Sequence, residues 1–283
     1  MSAVAQVLQG FFDDASLFPP ANLELPSAMA AHHDHRSAWY APLLGSFVCP
    51  RARVAELGTV TAEAAVPAKV PVSLTFPAGP ADLAPALAEC ARMAPVQVVA
   101  VEVALPEGMS AWEALRMMDD HMPPDVAGYL EVPRDDRRPG VLDALALTRY
   151  RAKFRTGGTE PEAHPNEWEL ADAVRAAVQR GVPFKCTAGL HHAVRHTDGP
   201  LEQHGFLNIL LAVDLARHNA DLPAVAAVLA SRSATAIGNE VARVAAAGRL
   251  DDARAHVIGI GTCSIADPIA DLVALNLLRD TRP

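Results

Sequence analysis

Tyr150-Arg-Ala-Lys-Phe-Arg-Thr-Gly157 and Val182-Pro-Phe-Lys-Cys-Thr-Ala-Gly189 decide the fold of this chain. Each reads as a short strand that carries a lysine, a second polar side chain two residues on, and a closing glycine. Between them Asn166 to Arg180 has the pattern of one helix, stopped at Gly181. The order strand–helix–strand calls for a parallel sheet covered by helices. Residues at i and i+2 of a strand share a face. Lys153 and Arg155 therefore point the same way as Lys185 and Thr187, and Phe154, Phe184 and Cys186 point the other way. The apolar set suits the helix-covered face. The basic set is left for the interior of a barrel or cleft, where desolvation and like charge would depress a lysine pKa. A structural or anion-binding cluster is the plainer reading of the same residues.

Working outward, six further strands surround this pair. They fall at Phe11 to Ser16, Gly45 to Cys49, Val70 to Phe76, Val96 to Leu105, Val126 to Val132 and Ala255 to Cys263. Helical segments fill the intervals, including Ser27 to Leu44, Ala81 to Met93, Ser110 to His121 and Val141 to Thr148, and Pro268 to Leu278 follows the last strand. Eight such repeats in 283 residues predict a single-domain (β/α)8 barrel, with a doubly wound open sheet as the alternative. No Pro/Gly linker divides residues 1–283. The interval 191–250 is long enough for three helices and reads as a helical insertion after strand seven, either a lid or the interface of a homodimer.

The composition narrows the function classes. Apolar residues make up 51% of the chain and the formal net charge is −9, which argues against nucleic-acid binding and against an anionic membrane surface. A basic pocket inside an acidic protein would suit a small anionic substrate instead. No stretch reaches the roughly 18 apolar residues that span a bilayer, and the N-terminus does not read as a secretory signal. The four cysteines, Cys49, Cys90, Cys186 and Cys263, are dispersed, as expected in a reducing cytoplasm.

Barrel active sites form where strands run into the following loops. Collecting polar residues there gives Asp13 or Asp14, Cys49, Ser73, Thr75, Glu102, Glu131, Lys153, Arg155, Lys185, Thr187, His191, His192, Cys263 and Ser264. Glu102 in Val-Val-Ala-Val-Glu-Val-Ala and Glu131 in Gly-Tyr-Leu-Glu-Val-Pro would be costly inside a barrel unless they met the lysines. Two carboxylates and two lysines in one interior could be tuned as proton donors and acceptors, or could form a buried ion-pair network that only fills the barrel. Arg155, with Gly157, Gly158 and the turn at Gly189, could hold a phosphate or carboxylate, and Gly259, Gly261 and Ser264 are further candidates. These glycines could equally serve turns and helix packing. The Gly-x-Gly at 259–261 lacks the third glycine of a dinucleotide fingerprint.

Lys153-Phe-Arg-Thr-Gly-Gly and Lys185-Cys-Thr-Ala-Gly-Leu resemble the paired lysine strands of the deoxyribose-phosphate aldolases. That resemblance covers about 15 residues. It implies a class I aldolase barrel with Lys153 as the Schiff-base nucleophile, Lys185 as the neighbour that lowers its pKa, and Glu102 as the proton shuttle. Arg155 and the histidines after strand seven lie outside that pattern, and Glu102 stands where those aldolases carry Asp. The chain also resembles a group of bacterial proteins without an established activity, through Leu17-Phe-Pro-Pro-Ala, Phe184-Lys-Cys-Thr-Ala-Gly-Leu-His-His, His204-Gly-Phe-Leu-Asn and the Cys263-Ser264 pair.

The histidines supply a rival. His191 or His192 with His196, His204 and an acidic residue could bind a metal, although their spacing matches no standard signature. Without a metal, His191 or His192 could act as general acid or base, and His204 could hold a substrate group. His32 to His35 read as a helix surface, and the cysteines read as core residues. The expected function is a cofactor-independent, lysine-dependent aldolase-like lyase for a small anionic carbonyl compound. An isomerase that uses the lysines as acid and base, a histidine-based metal hydrolase and a non-catalytic anion-binding barrel are the alternatives.

Overall fold

The computed structural model describes residues 2–63 and 69–281. Eight parallel strands close into a barrel, which settles the choice between barrel and open sheet. The strands are β1 (Phe12–Asp14), β2 (Leu44–Pro50), β3 (Val70–Phe76), β4 (Val96–Val103), β5 (Ala127–Glu131), β6 (Arg151–Arg155), β7 (Phe184–Thr187) and, after a two-stranded hairpin of β8 (His196–Asp198) and β9 (Leu201–Gln203), β10 (Val257–Thr262). β10 pairs with both β7 and β1 and so closes the ring.

Helices α1 (Ala3–Val7), α2 (Leu25–Ser37), α3 (Val54–Glu63), α4 (Leu83–Cys90), α5 (Ala111–His121), α6 (Arg138–Leu145) and α7 (Glu167–Gln179) precede the hairpin. After it come α8 (Phe206–Arg217), α9 (Leu222–Ala230), α10 (Ala234–Ala246) and α11 (Arg249–Arg254), and α12 (Ala266–Ala274) follows β10. Local chemistry sets several helix starts. Ser110 accepts from the Glu113 amide at α5, and Asn166 accepts from Trp168 and Glu169 at α7, each satisfying amides that have no partner inside the helix. Gly181 follows α7 at φ +65°, a turn that glycine adopts without steric cost.

The two lysine strands lie side by side, with Lys153 opposite Lys185 and Arg155 opposite Thr187. Phe154 and Phe184 face outward and pack edge-on at 5.0 Å. The alternation read from the sequence therefore holds on both strands.

The first helix of the segment after strand seven corrects the reading of a lid. α8 is buried along nearly its whole length, and Phe206 packs against Phe12 at 5.2 Å and Phe11 at 6.4 Å. It is a wall helix of the barrel, buried because α7, α9, α10 and α11 pack around it, with its polar Asn208 and Asp214 paired within the wall. The hairpin and the loop before it lie beside Cys263, at the end of β10. No helix among the described residues is long and apolar enough to cross a membrane.

Candidate active site

Asp13 and Asp14 divide between the two faces of β1. Asp13 points inward, where its Oδ1 accepts from the Ser46 amide at 2.6 Å and the Ser46 hydroxyl at 2.8 Å. Its Oδ2 lies 2.6 Å from the Lys185 ammonium. Asp14 is buried on the other side, 2.9 Å from Nδ1 of His32 on α2. His32 is thus a core residue and not part of a helix surface: it is only 1% exposed and packs on Phe47. His33 in the same cluster is exposed.

Lys185 is sealed inside the barrel at 1% exposure. It donates to Asp13 and to Glu102 Oε1, each at 2.6 Å, and stands over the Tyr129 ring at 5.3 Å. Burial works against its ammonium, but the charges of Asp13 and Glu102 overcome that and hold its pKa above the ordinary lysine range. The expectation of depressed lysine pKa values is corrected here for Lys185. Three carboxylates, Asp13, Glu102 and Glu131, face the three cations Lys153, Lys185 and Arg155.

Glu102 is the hub. Its Oε1 receives Lys185 and, at 2.8 Å, the Ser73 hydroxyl, while its Oε2 lies 3.0 Å from Lys153. Burial alone would raise its pKa. The positive charges of Lys185 and then Lys153, with their hydrogen bonds, outweigh this and bring it down to about 2. Glu102 is therefore a fixed carboxylate in the resting site. Lys153 also lies 3.2 Å from Glu131, which in turn is 3.6 Å from Arg155. The polar chain draws on every barrel strand except β10, whose inward positions opposite Lys185 and Thr187 are Gly259 and Gly261.

Above this network lies a cavity of about 520 Å³, within the range that small-molecule sites occupy. Of the residues singled out in the sequence, Glu102, Glu131, Lys153, Arg155, Thr187, Gly158 and His191 line it. Asp13 and Lys185 belong to the network beneath without lining the cavity, and Arg155 is half exposed at the mouth. Gly157 does not line it either. A Cβ at Gly157 would stand 3.0 Å from the Ala188 carbonyl oxygen and 3.1 Å from the Gly189 Cα, tight enough to push two strand-end loops apart. Ala188 and Gly189 follow β7 with φ of +72° and +73°. For Ala188 this is an uncommon backbone conformation, held at the cavity wall by Thr156 Oγ1 donating to its carbonyl at 2.8 Å.

Three other candidates, His204, His192 and Ser264, lie outside this cavity. His204 is fully buried away from the cavity: one ring nitrogen meets the Pro165 carbonyl at 2.8 Å and the other the Arg195 guanidinium at 3.3 Å. Burial lowers its pKa to about 4, so it is a neutral brace and not a substrate contact. His192 and Ser264 line a second cavity of about 570 Å³ beside the first, together with His196, Asp198 and Asp267. His192 pairs there with Asp271 at 3.0 Å. Among the described residues, no group of three or more His, Cys, Asp or Glu side chains is arranged to hold a metal ion. Cys49, Cys90 and Cys186 are buried as expected, with the thiols of Cys49 and Cys90 pushed up to about 12 and about 11 by burial. Cys263 instead lines both cavities, as does His191.

Sequence reasoning missed His164, whose Nε2 lies 3.0 Å from the Gly158 carbonyl and 3.3 Å from its amide, so that it bonds one or the other according to tautomer and ties down the loop after β6. It also missed the apolar cavity wall of Phe18, Pro19, Val48, Pro50, Phe76 and Ala104. Nothing in the local spacing of these residues distinguishes them from core or loop positions.

The closed parallel barrel, with a polar network at the carboxyl ends of its strands, defines a protein of the class that houses active sites at that rim. No family model, curated protein or solved structure matches the chain.

Proposed function

We propose that the chain is an imine-forming, aldolase-like lyase for a small anionic carbonyl compound, with Lys153 as the nucleophile. The observation that carries this reading is the unequal placement of the two lysines. Lys153 opens on the cavity, whereas Lys185 is sealed beneath it and locked as an ammonium by Asp13 and Glu102. In the reaction, Lys153 gives a proton to Glu131 and its lone pair attacks the carbonyl carbon. Loss of water from the carbinolamine leaves an iminium ion, which draws electrons from the carbon–carbon bond that breaks. Lys185 supplies a fixed positive charge under the site. Glu102, held ionised, balances the cations and can accept a proton once the charge on Lys153 moves. Arg155 meets the anionic group, and the cavity excludes most water from the imine.

One observation favours a second reading. Lys153 lies between two carboxylates, 3.0 Å from Glu102 and 3.2 Å from Glu131, which also suits a lysine that donates protons in an isomerase without a covalent step. Borohydride trapping with a panel of small aldehydes, ketones and 2-oxo acids separates the two. The imine reading expects a stable added mass on the peptide containing Lys153, lost in Lys153→Ala and kept in Lys69→Ala, the variant of the one exposed lysine. Labelling that is absent, or confined to Lys69, the one lysine outside the barrel interior, would overturn it and leave the isomerase reading.

A further inference from the structure

The wall shared by the two cavities is formed by a thiol and an imidazole. Cys263, just past β10, places its Sγ 3.6 Å from Nδ1 and 3.7 Å from Nε2 of His191. The sulfur is nearly equidistant from the two nitrogens, over the carbon between them, so a turn of the ring brings whichever nitrogen is unprotonated into line with the thiol proton. The other three cysteines are buried in the core, so among the described residues Cys263 is the thiol open to a cavity ligand. The same cavity holds Lys153.

We propose that Cys263 is a reversible covalent capture site for a small aldehyde, with His191 carrying the proton. This deepens the imine reading by naming the class of the released fragment, since aldol cleavage leaves an aldehyde. In the step, a sulfur lone pair forms an S–C bond to the carbonyl carbon and the C=O π pair moves to oxygen. The thiol proton passes to His191 and then to that oxygen. The product is a neutral thiohemiacetal, no oxidant or reductant takes part, and the reverse step returns thiol and aldehyde.

The environment suits a weak and reversible bond. Burial raises the Cys263 pKa, opposed by backbone hydrogen bonds from Ala21 and from Cys263 itself, and burial lowers the His191 pKa. The resting pair is therefore neutral, and attack needs proton transfer in the same step. Such a thiol resists oxidation at rest and releases its adduct readily. Through its second face the pair borders the outer cavity, which gives the captured fragment a route away from Lys153.

The test uses the whole protein, iodoacetamide as thiol probe and glycolaldehyde as aldehyde probe, with peptide mass mapping. Iodoacetamide is expected to modify Cys263 ahead of Cys49, Cys90 and Cys186, and His191→Asn is expected to slow this roughly tenfold or more. Glycolaldehyde should protect Cys263 in the wild-type protein, and with a ¹³C-labelled carbonyl it should give a thiohemiacetal resonance that Cys263→Ser abolishes. Unchanged labelling with glycolaldehyde present, or a resonance that survives in Cys263→Ser, would overturn the proposal. The two readings fail separately. Trapping at Lys153 without protection of Cys263 sinks only the capture site. Protection without trapping sinks only the imine.

Discussion

Glu102 is the residue on which most of the interior depends, because both buried lysines share it. Glu102→Gln would leave Lys185 to Asp13 alone and remove one of the two carboxylates beside Lys153. Breaking a buried pair in this way costs about 3–5 kcal/mol, to be read from urea unfolding near pH 7. The pH dependence has a definite sign. A carboxyl whose folded pKa is depressed stabilises the fold above its unfolded value, near 4.5, and the contribution is lost as the pH falls from there through about 2. The wild-type protein should lose stability across that window more steeply than Glu102→Gln. Equal slopes would mean that Glu102 is not held ionised by the lysines. The sequence marked Glu102, Glu131 and both lysines as one group because buried charges need partners. It could not show that carboxylates would match the cations one for one, since Asp13 and Asp14 are adjacent and only the pleat of β1 assigns one to each face.

At the scale of elements, strand positions were legible where β-branched runs meet proline or glycine, and β3 falls on the residues read from the sequence, Val70–Phe76. The region after β7 was not. The hairpin of β8 and β9 is short and polar, with no apolar alternation to reveal it. α8 has no polar face to set its orientation, so its place in the barrel wall depends on helices that come later in the chain. Cys263 and His32 were misread for a related reason, as burial of a single residue follows from neighbours distant in sequence. The wall role of α8 gives a sharp expectation. Phe206→Ala should cost about 3–5 kcal/mol, as for large buried aromatics, measured by chemical denaturation. A cost typical of a surface site would return α8 to the role of an appended lid.

Across the whole molecule, the ring is completed by a strand that arrives after the entire helical segment. β10 lies between β1 and β7, so everything C-terminal to the hairpin is bound into the barrel. A site-specific protease sequence inserted at the exposed Gly199–Pro200 turn should therefore permit cleavage without separation. The two pieces are expected to co-elute on size exclusion and to part only in denaturant; separation in native buffer would show that β10 is not a structural closure. The interior has a corresponding asymmetry. Seven strands send side chains into one bonded mesh at the hub, while β10 contributes two glycines and no side chain. The mesh behaves like a wheel with one spoke left out. On that one side the hub is bordered by glycine backbone in place of a charged or polar side chain, and the same sector leads to the wall where Cys263 and His191 stand.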